Sequence, residues 1–190
     1  MKDNNTKVLY GFHVKDDSSI DDRLVLTKEH ILIHLCEAYI PTSDCFTNGV
    51  NSLVLNWERV DPNLKVFRGD YKSAVADKLK STNKYGNPYE VLLSDSDNKL
   101  YEGSKSNLFV IIGNDVYSAP DDKILLGITR NRVLNSLSRA GGNLKIGMFT
   151  LDEIKNRDDV AIFVSSTPFD ILPISHIDGE NFDSANNELL

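Results

Sequence analysis

The chain has 190 residues, of which 41% are hydrophobic and 26% charged, and its formal net charge is −7 at pH 7. The length allows one substantial hydrophobic core or two small ones, and the composition is ordinary for a soluble globular protein. The negative charge argues against a general nucleic-acid-binding protein, which would normally present a basic face. A local basic pocket for a small anion is compatible with these numbers.

Two cysteines occur, Cys36 and Cys45. Two thiols are too few for a disulfide framework, which favours a reducing compartment. No apolar run is long enough to span a membrane, and the N-terminal residues lack the apolar region of a signal peptide. We therefore expect a cytoplasmic protein with no membrane partner.

The first sixty residues carry mainly strand patterns. Strands are predicted over residues 6–14, within residues 24–40 and over residues 51–60. The polar segment 15–22 is predicted to be a turn or loop, and so is the segment 41–50, before an Asp-Pro-Asn turn ends this part of the chain.

Helical patterns appear further along the chain. Tyr71, Val75 and Leu79 recur at steps of four, which predicts a helix with one apolar face within residues 68–83. A second helix is predicted to begin near Thr129 and to end at Gly141, since glycine commonly follows the last helical turn. Strands are predicted within residues 89–103, 106–120, 144–150 and 159–178, with a short helix beginning at residue 151.

Together these patterns predict an α+β fold in two parts. Residues 1–62 would form a strand-rich N-terminal part, and residues 63–190 a second part with both helices. A cleft between two such parts is a natural place for a small ligand.

Two segments could hold a phosphate. In "LLGITR", residues 125–130, a glycine leads directly into a helix, whose first N–H groups lack internal partners and whose dipole favours an anion. In "FVSSTPFDILPI", residues 163–174, three hydroxyl residues follow an apolar strand. Taken alone, each is more typical of an ordinary feature, namely a loop with Thr129 as N-cap and a polar turn that ends a strand.

Two charged side chains are candidates for chemistry. Glu102 stands at the start of an apolar strand, where it could be solvated or could keep a ring nitrogen protonated. Lys65 lies where a strand gives way to the next element. Most such lysines are simply on the surface, but an amine with a lowered pKa can form an imine with an aldehyde. No metal site is predicted, because the calcium-loop-like segment at Asp95 lacks the glycine and the final acid of that loop.

The order of these motifs resembles that of the class IV aminotransferases, the pyridoxal-phosphate enzymes of fold type IV. A lysine is followed by a helix and then by "YEVLL", "YEGSKSNLF", "LLGITR" and "FVSSTPFDILPI", with near-family spacing over about residues 39–178. The family includes branched-chain aminotransferases, D-amino-acid aminotransferases and 4-amino-4-deoxychorismate lyases. The resemblance implies a strand-rich N-terminal part, a C-terminal β-barrel-like domain with helices that binds the cofactor, and a homodimer.

The resemblance also implies roles around a pyridoxal 5'-phosphate cofactor. Lys65 would form the internal aldimine, with Lys72 as the runner-up because the family's lysine-to-glutamate spacing falls between the two. Glu102 would bind the pyridinium nitrogen, and Asn107 would brace the turn beside it. The remaining cofactor-binding residues would be Ile128, Thr129, Ser166 and Thr167 at the phosphate, Tyr71 near the ring oxygen, and Arg59 at a carboxylate or at the cofactor.

Three functions are compatible with this resemblance. The first is transfer of an amino group between an amino acid and a 2-oxo acid. The second is elimination of pyruvate from 4-amino-4-deoxychorismate to give 4-aminobenzoate. The third, a shortened non-catalytic homologue or binding module, is suggested by residues 1–38, which lack the family's "H..RL" motif with its phosphate-binding arginine, and by Lys105 in place of the common arginine.

Overall fold

The computed structural model describes residues 6–12, 31–37, 40–65 and 68–190. The chain divides into two compact units, Met1–Ile40 and Pro41–Leu190. In the first unit, β1 (Thr6–Phe12) and β2 (Ile31–Glu37) form an antiparallel pair. Both strands were predicted from the sequence. The turn predicted at residues 15–22 lies outside the described residues.

The second unit contains four α-helices and ten strands among its described residues. The helices are α1 (Ser43–Asn48), α2 (Gly69–Lys80), α3 (Ile128–Arg139) and α4 (Leu151–Ile154). The strands are β3 (Val50–Asn56), β4 (Glu90–Ser94), β5 (Lys99–Gly103), β6 (Asn107–Ile112), β7 (Asp115–Ser118), β8 (Asn143–Ile146), β9 (Phe149–Thr150), β10 (Val160–Ser166), β11 (Asp170–Ile177) and β12 (Glu180–Asn181).

The predicted helices at α2, α3 and α4 are confirmed, whereas two other predictions are wrong in detail. The segment 41–50 was predicted to be a loop but contains α1, a helix of six residues with none buried. A helix of fewer than two turns is too short for a periodic apolar pattern to reveal it. The single strand predicted over residues 144–150 is two strands, β8 and β9.

Six strands of the second unit close into a barrel. Their order is β6-β10-β11-β3-β4-β5, and β5 pairs back to β6. Strand β3 runs parallel to its two neighbours, and the other pairs of the ring are antiparallel. Strands β7 and β8 extend the sheet beyond β6, and β9 extends it beyond β5.

The strands of the barrel alternate between an inner and an outer face. On β6, Leu108 and Val110 join a core cluster with members from all six barrel strands, which fills the interior. Phe109 and Ile111 belong to a separate cluster that packs against Val133 and its neighbours on α3. Helix α3 therefore covers part of the outer face of the barrel.

Helix α3 ends as its glycines predicted. Gly141 has a φ of 74°, a left-handed conformation that favours glycine. Its N–H donates to the Ser138 carbonyl at 3.2 Å, and the N–H of Gly142 donates to the Leu137 carbonyl at 2.9 Å. This pair of hydrogen bonds is the Schellman motif, which satisfies two carbonyls at the end of the helix.

A β-bulge on β5 changes the direction of the side chains that follow it. Glu102 pairs with Leu93 on β4, but Leu100 pairs with the very next residue, Ser94, so Tyr101 is left without a direct partner. Leu100 packs inside the barrel, whereas Tyr101 and Leu93 belong to a cluster on the outer face. The extra residue therefore brings Glu102 to the outer face as well.

The expected domain boundary at residue 62 lies in the loop between β3 and α2, within the second unit, and stays a prediction. None of the helices in the described ranges is long and apolar enough to cross a lipid bilayer.

Candidate active site

Three polar side chains lie in one row across the outer face of the barrel. Glu102 on β5 is directly opposite Asn107 on β6, and Asn107 is directly opposite Ser165 on β10. All three are buried. Residues that face each other across antiparallel strands lie about 5 Å apart on the same side of the sheet. The barrel thus joins the "EGSKSN" and "VSST" motifs at one place.

Glu102 and Asn107 both hold the loop that leads into α3. The Leu125 N–H donates to Oε2 of Glu102 at 3.2 Å, and the Asn107 side-chain amide donates to the Leu125 carbonyl at 2.7 Å. Asn107 therefore braces the peptide beside Glu102, and the start of α3 is tied to the same row.

The N-terminus of α3 is open to an anion. Its N-cap is Gly127, no side chain caps it, and its first turn carries no acidic residue. Thr129 is buried, whereas Ile128 is exposed. Because the first N–H groups of a helix have no partner inside it, this end can bind a phosphate or a carboxylate.

Glu102 is buried beside a cation. Its side chain is 1% exposed, and Nε of Arg59 lies 2.5 Å from Oε1. This is a close ion contact without hydrogen-bond alignment, since neither atom has an aligned hydrogen bond among the described residues. Burial raises the pKa of Glu102 to about 7, although the charge of Arg59 and the Leu125 N–H both act to lower it.

A shallow pocket open to solvent lies next to this pair. The Arg59 guanidinium lies over the ring of Tyr71, 5.5 Å from its centre, within the range of a cation–π interaction. The Tyr71 hydroxyl donates to the Ser104 carbonyl at 3.0 Å, and burial raises its pKa to about 12. The pocket is lined by Trp57, Arg59, Val60, Asp61, Leu64, Arg68 and Tyr71.

Comparison with known sequences identifies the family of this chain. The family described as "Amino-transferase class IV" matches residues 47–177. The chain belongs to the class IV aminotransferases. A D-alanine aminotransferase from Bacillus licheniformis is 30% identical over 141 residues, which cover 72% of this chain and 47% of that protein. A branched-chain-amino-acid aminotransferase from Pseudomonas aeruginosa is 31% identical over 94 residues, 50% of this chain and 30% of that protein.

Solved class IV structures share the fold. A branched-chain amino acid aminotransferase from Escherichia coli has a TM-score of 0.61 and 20% identity, and the match covers 83% of this chain. The matched region is 51% of that chain, so the class IV chain described here spans about half the length of the relatives that it matches. The α+β fold of type IV predicted from the sequence is confirmed.

Class IV aminotransferases are pyridoxal-phosphate-dependent, and a branched-chain member with the same fold was solved in complex with N-(5'-phosphopyridoxyl)-L-glutamate. The described residues fit that cofactor at two places. Oε1 of Glu102 is a buried acceptor without an aligned donor, which suits a protonated ring nitrogen. At the other end of the row, the Ser165 hydroxyl is buried without a hydrogen-bond partner among the described residues, and the start of α3 is uncapped. Both features suit a phosphate.

The other predicted site residues are not members of this row. The Ser166 hydroxyl donates to the Lys105 carbonyl at 2.8 Å, which ties the end of β10 to the β5–β6 turn. Thr167 is exposed in the turn that follows. Lys65 and Lys72 are both exposed. Lys65 directly follows Leu64, which lines the pocket beside Arg59, and Lys72 directly follows Tyr71 on α2.

Sequence reasoning did not single out Glu90. It counted Ser165 only among the three hydroxyl residues of "FVSSTPFDILPI" and assigned the phosphate to Ser166 and Thr167. Glu90 is fully buried on β4, where its carboxyl group accepts hydrogen bonds from the Ser104 hydroxyl at 2.6 Å and the Ser106 hydroxyl at 2.7 Å. It therefore anchors the turn that directly follows Glu102. An acid inside the apolar run "YEVLL" was the available signal, and it is the same kind of anomaly that drew attention to Glu102.

We expect Gly127→Ala to destabilise the protein by about 1–3 kcal/mol, because the added Cβ would lie 2.3 Å from Oδ1 of Asn107. Urea denaturation measures this difference. Gly69→Ala, at the first residue of α2, is the control because its Cβ would meet nothing within 4 Å. An equal loss in both variants would contradict the role given to the contact with Asn107.

Proposed function

We propose that this chain is a pyridoxal-phosphate-dependent aminotransferase, which moves an amino group between an amino acid and a 2-oxo acid. The observation that carries the proposal is the buried carboxyl group of Glu102, whose Oε1 atom has no aligned donor among the described residues. It lies in one row with the Ser165 hydroxyl and is tied through Leu125 to the start of α3, and in the described part of the chain neither the hydroxyl nor the helix start has a side-chain partner. A flat ligand with a protonated nitrogen at one end and a phosphate at the other would satisfy these groups together.

The proposed reaction assigns a task to Glu102 and to each residue of the phosphate site. When bound, the cofactor supplies an aromatic ring that takes up the electron pair left on the α-carbon of the amino acid. Glu102 holds the proton on the ring nitrogen. The amides of Ile128 and Thr129, with the Thr129 hydroxyl, bind the phosphate at the start of α3. Ser166 and Thr167 complete the phosphate site from the end of β10.

Lys65 is the amine in this proposal. Its Nζ atom would hold the cofactor at the aldehyde group, with release of water, and would move the proton at the α-carbon of the substrate. Leu64 places the backbone of this residue at the wall of the pocket that contains Arg59 and Tyr71. Lys72 is the alternative because it follows Tyr71 on α2.

Borohydride trapping tests this assignment. We expect the purified chain to develop visible absorbance with pyridoxal 5'-phosphate and, after reduction, to carry a phosphopyridoxyl group on Lys65. Peptide mass spectrometry locates the group. Lys65→Ala should abolish the adduct and Lys72→Ala should retain it, whereas the reverse pattern would assign Lys72. Absence of an adduct from every lysine would contradict the proposed function.

D-Alanine is the first amino donor to test, because relatives at 30% to 38% identity are named D-alanine aminotransferases. We expect transfer of its amino group to an added 2-oxo acid. Release of pyruvate from 4-amino-4-deoxychorismate without an added 2-oxo acid would instead assign the elimination reaction.

The active form in this proposal is a homodimer, as the resemblance implies. Light scattering on the eluting protein measures the mass, and two copies of the 21.3 kDa chain are expected.

A further inference from the structure

Arg59 supplies positive charge at Glu102 without occupying it as an aligned donor. Nε of Arg59 lies 2.5 Å from Oε1 of Glu102, yet neither atom completes an aligned hydrogen bond with a described group. The guanidinium also lies over the Tyr71 ring, which gives it a second, independent support. Oε1 is therefore in contact with a cation, and as a carboxylate oxygen it has a second lone pair that can accept from another N–H.

The groups around Glu102 oppose one another. Arg59, in the loop after β3, favours the ionised form, and the Leu125 N–H at 3.2 Å from Oε2 does the same. Burial favours the neutral form, and so does the negative charge of Glu90 on β4. These opposing effects leave the ionised and neutral forms of Glu102 close in free energy, so removal of one nearby charge would change which form is favoured.

Two tyrosines complete these surroundings. Tyr71 faces the site from α2, and Tyr101 is the bulge residue of β5. Burial raises the pKa of both hydroxyls, so both are uncharged at neutral pH. Neither can replace the charge of Arg59.

We infer that Arg59 is a positioning residue that shifts the Glu102 carboxyl group toward its ionised form, so that a proton shared with the ring nitrogen of a ligand lies on the ring. The identity of that ligand rests on the proposed function, whereas the statement about Glu102 concerns the ligand-free chain. A neutral acid with a neutral ring has the same total charge as a carboxylate with a ring cation. The nearby charge of Arg59 therefore favours the carboxylate with the ring cation. If Arg59 were absent, burial would favour the neutral acid with the neutral ring.

Titration of Glu102 in the ligand-free chain is the first test. Glutamate labelled with ¹³C at the side-chain carboxyl is followed by NMR against pH, and Glu102→Gln identifies the signal. Arg59→Met should raise the pKa of Glu102 by about 1–3 units, since an opposite charge in contact lowers a carboxyl pKa by that amount. Arg59→Lys, which keeps the charge, should restore most of the difference.

Arg68→Met is the matched control for this titration. Arg68 lines the same pocket, but its guanidinium pairs with Asp70 at 3.7 Å. The pKa of Glu102 should be unchanged in this variant. An unchanged or lowered pKa in Arg59→Met overturns the inference, and so does an equal rise in Arg68→Met. If circular dichroism shows that Arg59→Met is unfolded, Arg59→Gln decides in the same way.

Pyridoxal 5'-phosphate labelled with ¹⁵N at the ring gives the second readout. In the parent protein the ring nitrogen should have the chemical shift of the protonated form, and in Arg59→Met it should move toward the unprotonated form. A ring that stays protonated in Arg59→Met overturns the inference. Failure of the parent to bind the cofactor would contradict the proposed function instead, and the titration of Glu102 would then decide the role of Arg59 alone.

Discussion

Glu102→Gln is expected to remove a pH-dependent loss of stability of about 3 kcal/mol from the ligand-free protein. Burial raises the pKa of Glu102 from 4.5 to about 7, so the folded chain retains a proton that the unfolded chain releases. The stabilisation from the neutral acid is fully present below the unfolded pKa of 4.5 and is lost as pH rises through about 7. Glutamine cannot ionise, so this dependence should disappear.

Urea denaturation from about pH 4.5 to about pH 8 measures the effect as the difference between parent and variant. Glu153→Gln is the control, because Glu153 is exposed and its pKa is lowered by hydrogen bonds from Thr150. Glutamine also preserves the capping box at that position. The control should show a small dependence of opposite sign. Parallel pH profiles for the parent and Glu102→Gln would show that ionisation of Glu102 does not limit stability.

Glu90→Ala is expected to destabilise the protein by about 4 kcal/mol. The carboxyl group accepts hydrogen bonds from the Ser104 N–H, the Ser104 hydroxyl and the Ser106 hydroxyl. Alanine would leave these donors without their partner inside a buried site. Glu90→Gln should cost only about 1 kcal/mol, because it keeps the volume and one acceptor, and its amide can donate to the Ser106 hydroxyl.

Glu58 is the exposed control for Glu90, because the two glutamates differ in burial. Glu58 also accepts a backbone N–H, from Ser96 at 2.8 Å, but it is exposed. Glu58→Ala should therefore lower the free energy of unfolding far less than Glu90→Ala does in the same urea experiment. If Glu90→Ala were no more destabilising than Glu58→Ala, Glu90 would not be the anchor of the turn after Glu102.

Local patterns predicted the parts of the fold that depend on neighbours in sequence. The apolar steps of four in α2 and the glycines after α3 describe a helix face and a helix end, and both are properties of short runs of consecutive residues. α1 was missed because its six residues make fewer than two turns, which is too short for an apolar repeat at steps of three and four. The division of one predicted strand into β8 and β9 also depends on which strands they pair with, β7 and β5.

The resemblance pointed to the residues of the candidate site, but it did not describe their surroundings. Glu102 and the start of α3 belong to recognisable motifs. The contact of Arg59 with Glu102, the burial of the Ser165 hydroxyl and the anchoring of the turn by Glu90 arise from segments that are distant in sequence. No local pattern carries the distances between them.

The sequence by itself determined where most helices and strands form and which family the motifs resemble, because propensity, periodicity and motif order are written along the chain. The tertiary structure alone decided on which side of the barrel Glu102 lies. In a regular β5, Glu102 would point to the inside of the barrel as Leu100 does, because residues two apart on a strand share a face. The bulge at Tyr101 instead directs Glu102 outward, into one row with Asn107 and Ser165. Register and bulges are set by pairing between strands, and that pairing exists only once the barrel has closed.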